Sequence, residues 1–285
     1  MTGESNGDPR PTDTAEVRRV WNTNAAYWDA RMGEGNEFPL RLLLPALDRL
    51  LALRSGERVL EIACGNGQLA RWMAERGAHV VATDLSDQLI ELAQRRTVEQ
   101  RARIDFRVVD AGDDAALRDL SSAKFDAVVC NRARMDMPDI DPLARALPDL
   151  LGPRGRFVFS TTHPCLNRGD MSRVARWSDE GGAVRETIGM EIHHYLTPRT
   201  VEGLALIGQP LAQTYFERPR SLLLGTFLNA GWVVEALEEP AFPADPDTFR
   251  GGPSPPTAQP WYSWSKSLRE IPPALLVRMG CRGSG

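Results

Sequence analysis

The sequence predicts an α/β protein built on an open, mostly parallel seven-stranded sheet with helices on both faces. Three observations carry this reading. Between residues 57 and 161, short apolar runs of strand length alternate five times with helical stretches, the rhythm of right-handed crossovers. Those runs are apolar almost throughout, as strands covered on both faces are. The first run turns into its helix through Cys64-Gly65-Asn66-Gly67, and the next two end in Asp84 and Asp110. Polar groups thus collect at the carboxyl edge, where open α/β sheets bind ligands.

The elements follow in order. Residues 1–12 hold Gly, Pro, Ser and Thr with no apolar signal core, so a disordered leader on a cytoplasmic chain is expected. Residues 13–56 read as an N-terminal helical cap. Asp13 and Glu16 make a capping pair, and Val17, Trp21, Ala25 and Trp28 recur on one helix face. Gly33 and Gly35 break that helix, and a second runs from about Pro39 to Leu53.

The core, 57–161, opens with a strand at Arg58 to Ala63 and a helix at Leu69 to Arg76, closed by Gly77. A strand follows at His79 to Thr83, then a helix at Leu85 to Gln94 with Ser86 as N-cap. Further strands fall at Ile104 to Val109, Phe125 to Cys130 and Arg156 to Thr161, with a helix at Pro142 to Leu151 before the last. Residues 162–220 change rhythm, with weak strand alternation at 184–196 and 212–217. They read as an inserted antiparallel substrate lid over the carboxyl edge. Residues 221–285 complete the core: a helix at Ser221 to Ala230, a strand at Trp232 to Leu237, a proline-rich loop over 240–260, and a last strand at Ile271 to Met279.

Composition excludes several classes. With 42% apolar residues the chain can bury a real core and is not disordered throughout. No apolar run approaches membrane-spanning length. A net charge of −4 argues against a nucleic-acid partner. The four cysteines have no zinc-like spacing, so reduced thiols and no metal are expected.

The glycine turn lets the backbone approach a ligand and presents the free N–H groups of a helix start. Asp84 suits two ribose hydroxyls, and Asp110 an exocyclic adenine amine; each also fits a plain turn aspartate. The third glycine of the dinucleotide fingerprint is missing, since Leu69 and Ala70 follow.

On these residues the chain resembles the class I S-adenosylmethionine (SAM) dependent methyltransferases, which have a Rossmann-like core. VLEIACGNG resembles the family's first motif, with Ala63 in place of its commonest first glycine. LLGPRGRFVFS resembles its approach to the fifth strand. The resemblance implies SAM as cofactor and S-adenosylhomocysteine (SAH) as product. It implies binding by Ala63, Gly65 and Gly67, ribose contact at Asp84 with Leu85 on adenine, Asp110 and Ala111 at the adenine edge, and Asn131 beside the methyl-donor pocket. WNTNAAYWDARMGEGNEF, TTHPC and PRSLLLGTFLNAGW resemble bacterial natural-product methyltransferases, whose N-terminal helix covers the cofactor. Tyr27 and Arg31 are then candidates for the methionine carboxylate, although Tyr27 and Trp28 also fit core packing.

Methyl transfer from a sulfonium is an in-line displacement that needs positioning and, for a hydroxyl or protonated amine, a base. His163, just past the fifth strand, is the candidate base, and His194 in the insertion is a weaker one. The aromatic residues of the insertion, Trp177, Tyr195, Tyr215 and Phe216, suit an apolar small acceptor. The expected function is transfer of a methyl to an O, N or C nucleophile of a small molecule in bacterial secondary metabolism. The alternative is a SAM-binding protein that catalyses cyclisation or rearrangement, or binds without methylating. A homodimer is a further expectation.

Overall fold

The computed structural model describes residues 14–241 and 271–281, apart from 34, 37, 167, 168 and 170. The expected leader, the Asp13 cap and the proline-rich loop from residue 242 onward lie outside the described residues.

Helix α1 (Thr14–Met32) is followed by a wide turn at Phe38–Leu43 and helix α2 (Leu44–Leu51). The single helix expected from Pro39 to Leu53 is thus divided. Pro45 has no N–H to return to Arg41, so the α-helical ladder starts afresh beyond it. The core then runs β1 (Arg58–Ile62), α3 (Gln68–Glu75), β2 (His79–Asp84), α4 (Asp87–Arg96) and β3 (Ile104–Val108). It continues with α5 (Asp114–Arg118), β4 (Phe125–Asn131), α6 (Asp141–Leu150) and β5 (Leu151–Thr162). Ser86 caps α4 as expected, its hydroxyl accepting from the Leu89 N–H. The short α5 had no counterpart in the sequence reading. Asp113 caps it, accepting from the N–H groups of Ala115 and Ala116.

The inserted stretch folds as two hairpins. One pairs β6 (Met171–Glu180) with β7 (Ala183–Ile192), the other β8 (Arg199–Gly203) with β9 (Gln213–Glu217). The alternation read at 184–196 and 212–217 marks the second strand of each; the first strands were missed. Helix α7 (Arg220–Asn229), β10 (Trp232–Glu238) and β11 (Ala274–Cys281) close the described chain.

Seven strands form one sheet in the order β10-β11-β5-β4-β1-β2-β3. Every pairing from β5 to β3 is parallel, and β11 runs antiparallel to both β5 and β10. This is the fold class the sequence predicted. Both faces are buried. Leu60, Ile62, Phe157 and Phe159 pack with Leu143, Leu147, Leu223 and Phe227 on one side. Val59, Ala127, Val129 and Val158 pack with Leu47, Leu51, Leu69 and Met73 on the other. Strand order reverses at β1, with β2 on one side and β4 on the other, so a crevice opens at the carboxyl ends of these strands. Helix α1 lies against α4 beside it, held by Asn22 Nδ2 to Asp87 (2.7 Å) and by the bidentate pair of Arg96 with Asp29.

Candidate functional site

Two cavities adjoin at this edge. The first, of about 240 Å³, is the crevice itself. Its floor is the turn after β1. Ala63, Gly65 and Gly67 all have left-handed φ values, of 56°, 57° and 75°. A Cβ on Gly67 would stand 3.0 Å from the Phe106 ring, so only glycine fits there. Asp84 is buried at the end of β2 and accepts from the N–H groups of Gly65 (2.8 Å) and Ser86 (2.9 Å). Asp110 accepts from the Gly112 N–H at 2.7 Å. Leu85, Val109 and Ala111 add apolar surface between these acids. Asn131 completes the line, its Oδ1 held by the Ser160 hydroxyl at 2.6 Å. The structure therefore gathers Ala63, Gly65, Asp84, Leu85, Asp110, Ala111 and Asn131 into one crevice wall. Gly67 stands just behind as the residue that starts α3.

The crevice is strongly acidic. Glu61, Asp84, Asp110, Asp136 and Asp139 line it against a single arginine, Arg132. Burial, reinforced by the nearby Asp84 charge, pushes Glu61 up to about 8, and its Oε2 has no hydrogen-bond partner among the described residues. Burial pushes Asp84 up to about 6 against its backbone hydrogen bonds. It pushes Asp136 up to about 7, opposed by the bond from Gln213 Nε2 at 3.0 Å. A buried carboxyl group with one oxygen unpartnered, deep in an acidic crevice, suits a cationic ligand group. The apolar slot between the acids at the ends of β2 and β3 suits a purine nucleoside. A pyrophosphate would meet like charge here.

The second cavity, of about 420 Å³, lies under the β8–β9 hairpin. Val201, Leu204, Leu206, Phe216, Leu223 and Pro273 give it apolar walls, with Arg132, Arg134 and Arg218 among them. Trp28, Met32, Arg132, Met135, Ala205 and Tyr215 line both cavities and form the wall between them.

Other expected site residues lie elsewhere. His163 lines neither cavity. It is 2% exposed, its Nδ1 accepts from the Cys165 N–H (3.2 Å), and its Nε2 therefore donates to Glu239 at 2.8 Å. Burial lowers its affinity for a proton despite that carboxylate. Both nitrogens are thus spent on the chain, and His163 pins the end of β5. His194 is exposed, with φ of +48°, in the turn after β7. Tyr27 points away from the crevice, its hydroxyl donating to the Ile207 carbonyl at 2.5 Å, and the exposed Arg31 stacks over its ring. Trp28, one residue on, is the side chain of α1 that reaches both cavities.

Sequence reasoning passed over Glu61, Trp28, Arg132, Arg134 and Asp136. Glu61 had a signal, an acid inside an apolar strand buried on both faces. The run Asn131-Arg132-Ala133-Arg134-Met135-Asp136 also had one, three charges at the carboxyl end of a central strand.

Fold and site together define a nucleoside-binding α/β domain with a roofed second cavity. Residues 59–155 match the family model described as methyltransferase domain. The chain is 36% identical over 145 residues to a ubiquinone biosynthesis O-methyltransferase of Xanthomonas axonopodis pv. citri, covering 50% of this chain and 56% of the relative. The chain thus spans little more than half the length of the curated relatives it matches. Among solved structures it is similar to a SAM-dependent methyltransferase from Mesorhizobium loti, with 25% identity, a TM-score of 0.59, and coverage of 82% of this chain and 95% of that one. The CcbJ methyltransferase of Streptomyces caelestis shares the fold at 15% identity and a TM-score of 0.58, over 93% of this chain and 98% of that one.

Proposed function

We propose that the protein is a SAM-dependent methyltransferase acting on a small-molecule acceptor held in the cavity under the β8–β9 hairpin. The observation that carries this reading is the acidic crevice, with Glu61, whose Oε2 has no partner among the described residues, behind the glycine turn and Asp84 and Asp110 at its far wall. Glu61 would meet the cationic methionine end of the cofactor. The turn at Gly65 and Asn66, at the N-terminus of α3, would take its carboxylate. Asp84 would hold the ribose, and Asp110 the adenine amine between Leu85 and Val109. When bound, SAM supplies an electrophilic methyl on a positively charged sulfur.

The chain's own contribution is then positioning and proton removal. The shared wall of Trp28, Met135 and Tyr215 would align an acceptor with the crevice and exclude water. Asp136 is the proposed base in place of His163. It lines the crevice, stands beside Tyr215 through Gln213, and is pushed up to about 7 by burial, so near neutrality it can both accept and release a proton, as suits a general base. The acceptor atom is an oxygen, nitrogen or carbon nucleophile, and secondary metabolism is the proposed setting.

The test is incubation of purified protein with SAM and fractionated bacterial extract, followed by mass spectrometry. SAH release with a product heavier by one methyl supports the proposal. Tight SAM binding without SAH would favour the non-methylating alternative, and no binding would overturn the cofactor assignment.

A further inference from the structure

Two buried arginines lie at β5, and they are treated very differently. Arg156, midway along it, donates to Glu57 at 2.6 Å and 3.2 Å, to the Asp126 carbonyl at 3.2 Å and to the Leu51 carbonyl. It is a structural cation with its donors satisfied. Arg134, just beyond β4, is fully buried. Among the described residues its side chain donates one hydrogen bond, from Nη2 to the Leu223 carbonyl at 3.1 Å. Nε and Nη1 have no partner among the described residues. The rings of Phe159 and Phe227 stack on its faces, 3.5 Å and 4.7 Å from Cζ, and the residue lines the wall of the second cavity.

A guanidinium has five N–H donors and does not shed its charge. Burying one without an anion is strongly unfavourable, and each unsatisfied donor adds to the cost. No carboxylate ion-pairs with Arg134 among the described residues. Another cation, Arg218, lies close by and spends its donors on the carbonyls of Arg134, Phe216, Met137 and Pro138. Arg132 lies on the same wall, stacked on Phe38 at 4.7 Å. Asp136 offsets part of its charge from the crevice side.

Two acids also line the cavity. Glu217 is engaged by the Gly169 N–H (2.6 Å) and by Arg199 (3.5 Å). Glu202 is exposed at the hairpin. Neither neutralises Arg134. The rest of the wall is largely apolar.

We propose that the acceptor cavity takes a small carboxylic acid with an apolar or aromatic body, its carboxylate bound by the unpartnered Nε and Nη1 of Arg134, reached by a local shift of the wall, with Arg132 alongside. A guanidinium is well suited to a carboxylate, and the apolar walls would hold the remainder. This deepens the methyltransferase reading, since it names the acceptor class for the same site.

The experiment is calorimetric titration of the SAH-saturated protein with paired probes, benzoate against benzamide and phenylacetate against phenylacetamide. The acid of each pair should bind at least tenfold tighter than its amide. Arg134→Met should remove that preference while SAH affinity stays within a few-fold, and Arg134→Lys should restore part of it. Should Arg134→Met fail to fold, Arg132→Met and the wild-type pairs carry the test, with the preference shrinking in the variant. Equal affinity of acid and amide, no binding of either at millimolar concentration, or a preference unmoved by the variants would overturn the proposal. Failure to bind SAH counts against the cofactor reading instead. The acid–amide comparison remains readable without SAH.

Discussion

The two cavities share one wall but differ in sign. Acids dominate the crevice at the strand ends, with Arg132 as its lone cation. The cavity under the hairpin carries three arginines, one fully buried and short of partners. Their origins differ as well. The crevice is made mainly by the ends of β1 to β4 and by α1, with Gln213 and Tyr215 of β9 at its rim, whereas the cavity takes most of its roof from β8 and β9 of the insertion. A cationic donor and an anionic acceptor would each be drawn to its own side and repelled from the other. The protein would then sort its reactants by charge before any close contact is made.

The strongest way to break this picture is at the shared wall. Asp136→Asn keeps size and the bond to Gln213 while removing the base. Turnover should fall by about 10²–10⁴-fold with SAH affinity within a few-fold of wild type. The wild-type rate should rise with pH through about 7, and the variant should lose that limb. A rate close to wild type would reduce Asp136 to a wall residue. On the crevice side alone, Asp84→Ala should weaken SAH binding roughly 10- to 100-fold, as expected for lost charge-assisted hydrogen bonds. Calorimetry that shows unchanged affinity would remove the ribose assignment.

The acidic side also makes a prediction about pH. Glu61, Asp136 and Asp84 bind protons more tightly in the fold than in the unfolded chain, with values of about 8, 7 and 6. The native state therefore holds more protons than the unfolded state between about pH 4 and 8, and its stability falls as pH rises across that range. The ligand-free protein should lose roughly 5 °C or more of Tm between pH 5 and pH 8. Glu61→Gln should flatten the curve. Binding of cationic SAM should strengthen over the same interval, as the carboxylates ionise. A Tm that climbs toward pH 8 would contradict the burial of these acids.

The same contrast explains what could be read from the sequence. The crevice is local: Gly65, Asp84 and Asp110 each sit at a strand end that hydrophobic pattern and turn residues reveal, and strand order brings them together. The cavity is not local. Arg134 meets Phe159 and Phe227 across 25 and 93 positions, and nothing in Asn131-Arg132-Ala133-Arg134 announces which arginine will be buried. His163 lies outside both cavities for a related reason. Its place beyond β5 was foreseen, but its direction is set by Glu239, 76 residues on. The split of the second helix turned on Pro45, a local signal that the apolar periodicity overrode. The first strand of the first hairpin was lost because most of its residues face outward; in the second, β8 is short and Val201 is its one large apolar side chain, so no apolar alternation marks either.

The smallest expected effect concerns the crevice floor. Ala63 stands with φ of 56°, a conformation that costs an L-residue about 1–2 kcal/mol relative to its usual one. Glycine has no such penalty. Replacing Ala63 by Gly also removes one methyl group. Since the residue is only half-buried against the core, that loss is a fraction of the ~0.8 kcal/mol of a fully buried methylene. Glycine adds freedom to the unfolded chain, which offsets a further part. Strain relief still wins by about 0.5 kcal/mol, a rise in Tm of roughly 1–2 °C for a chain of this size. A fall in Tm on Ala63→Gly would mean that the methyl packs better than its exposure implies. In that case the alanine earns its place by shaping the floor, and SAH affinity should drop along with stability.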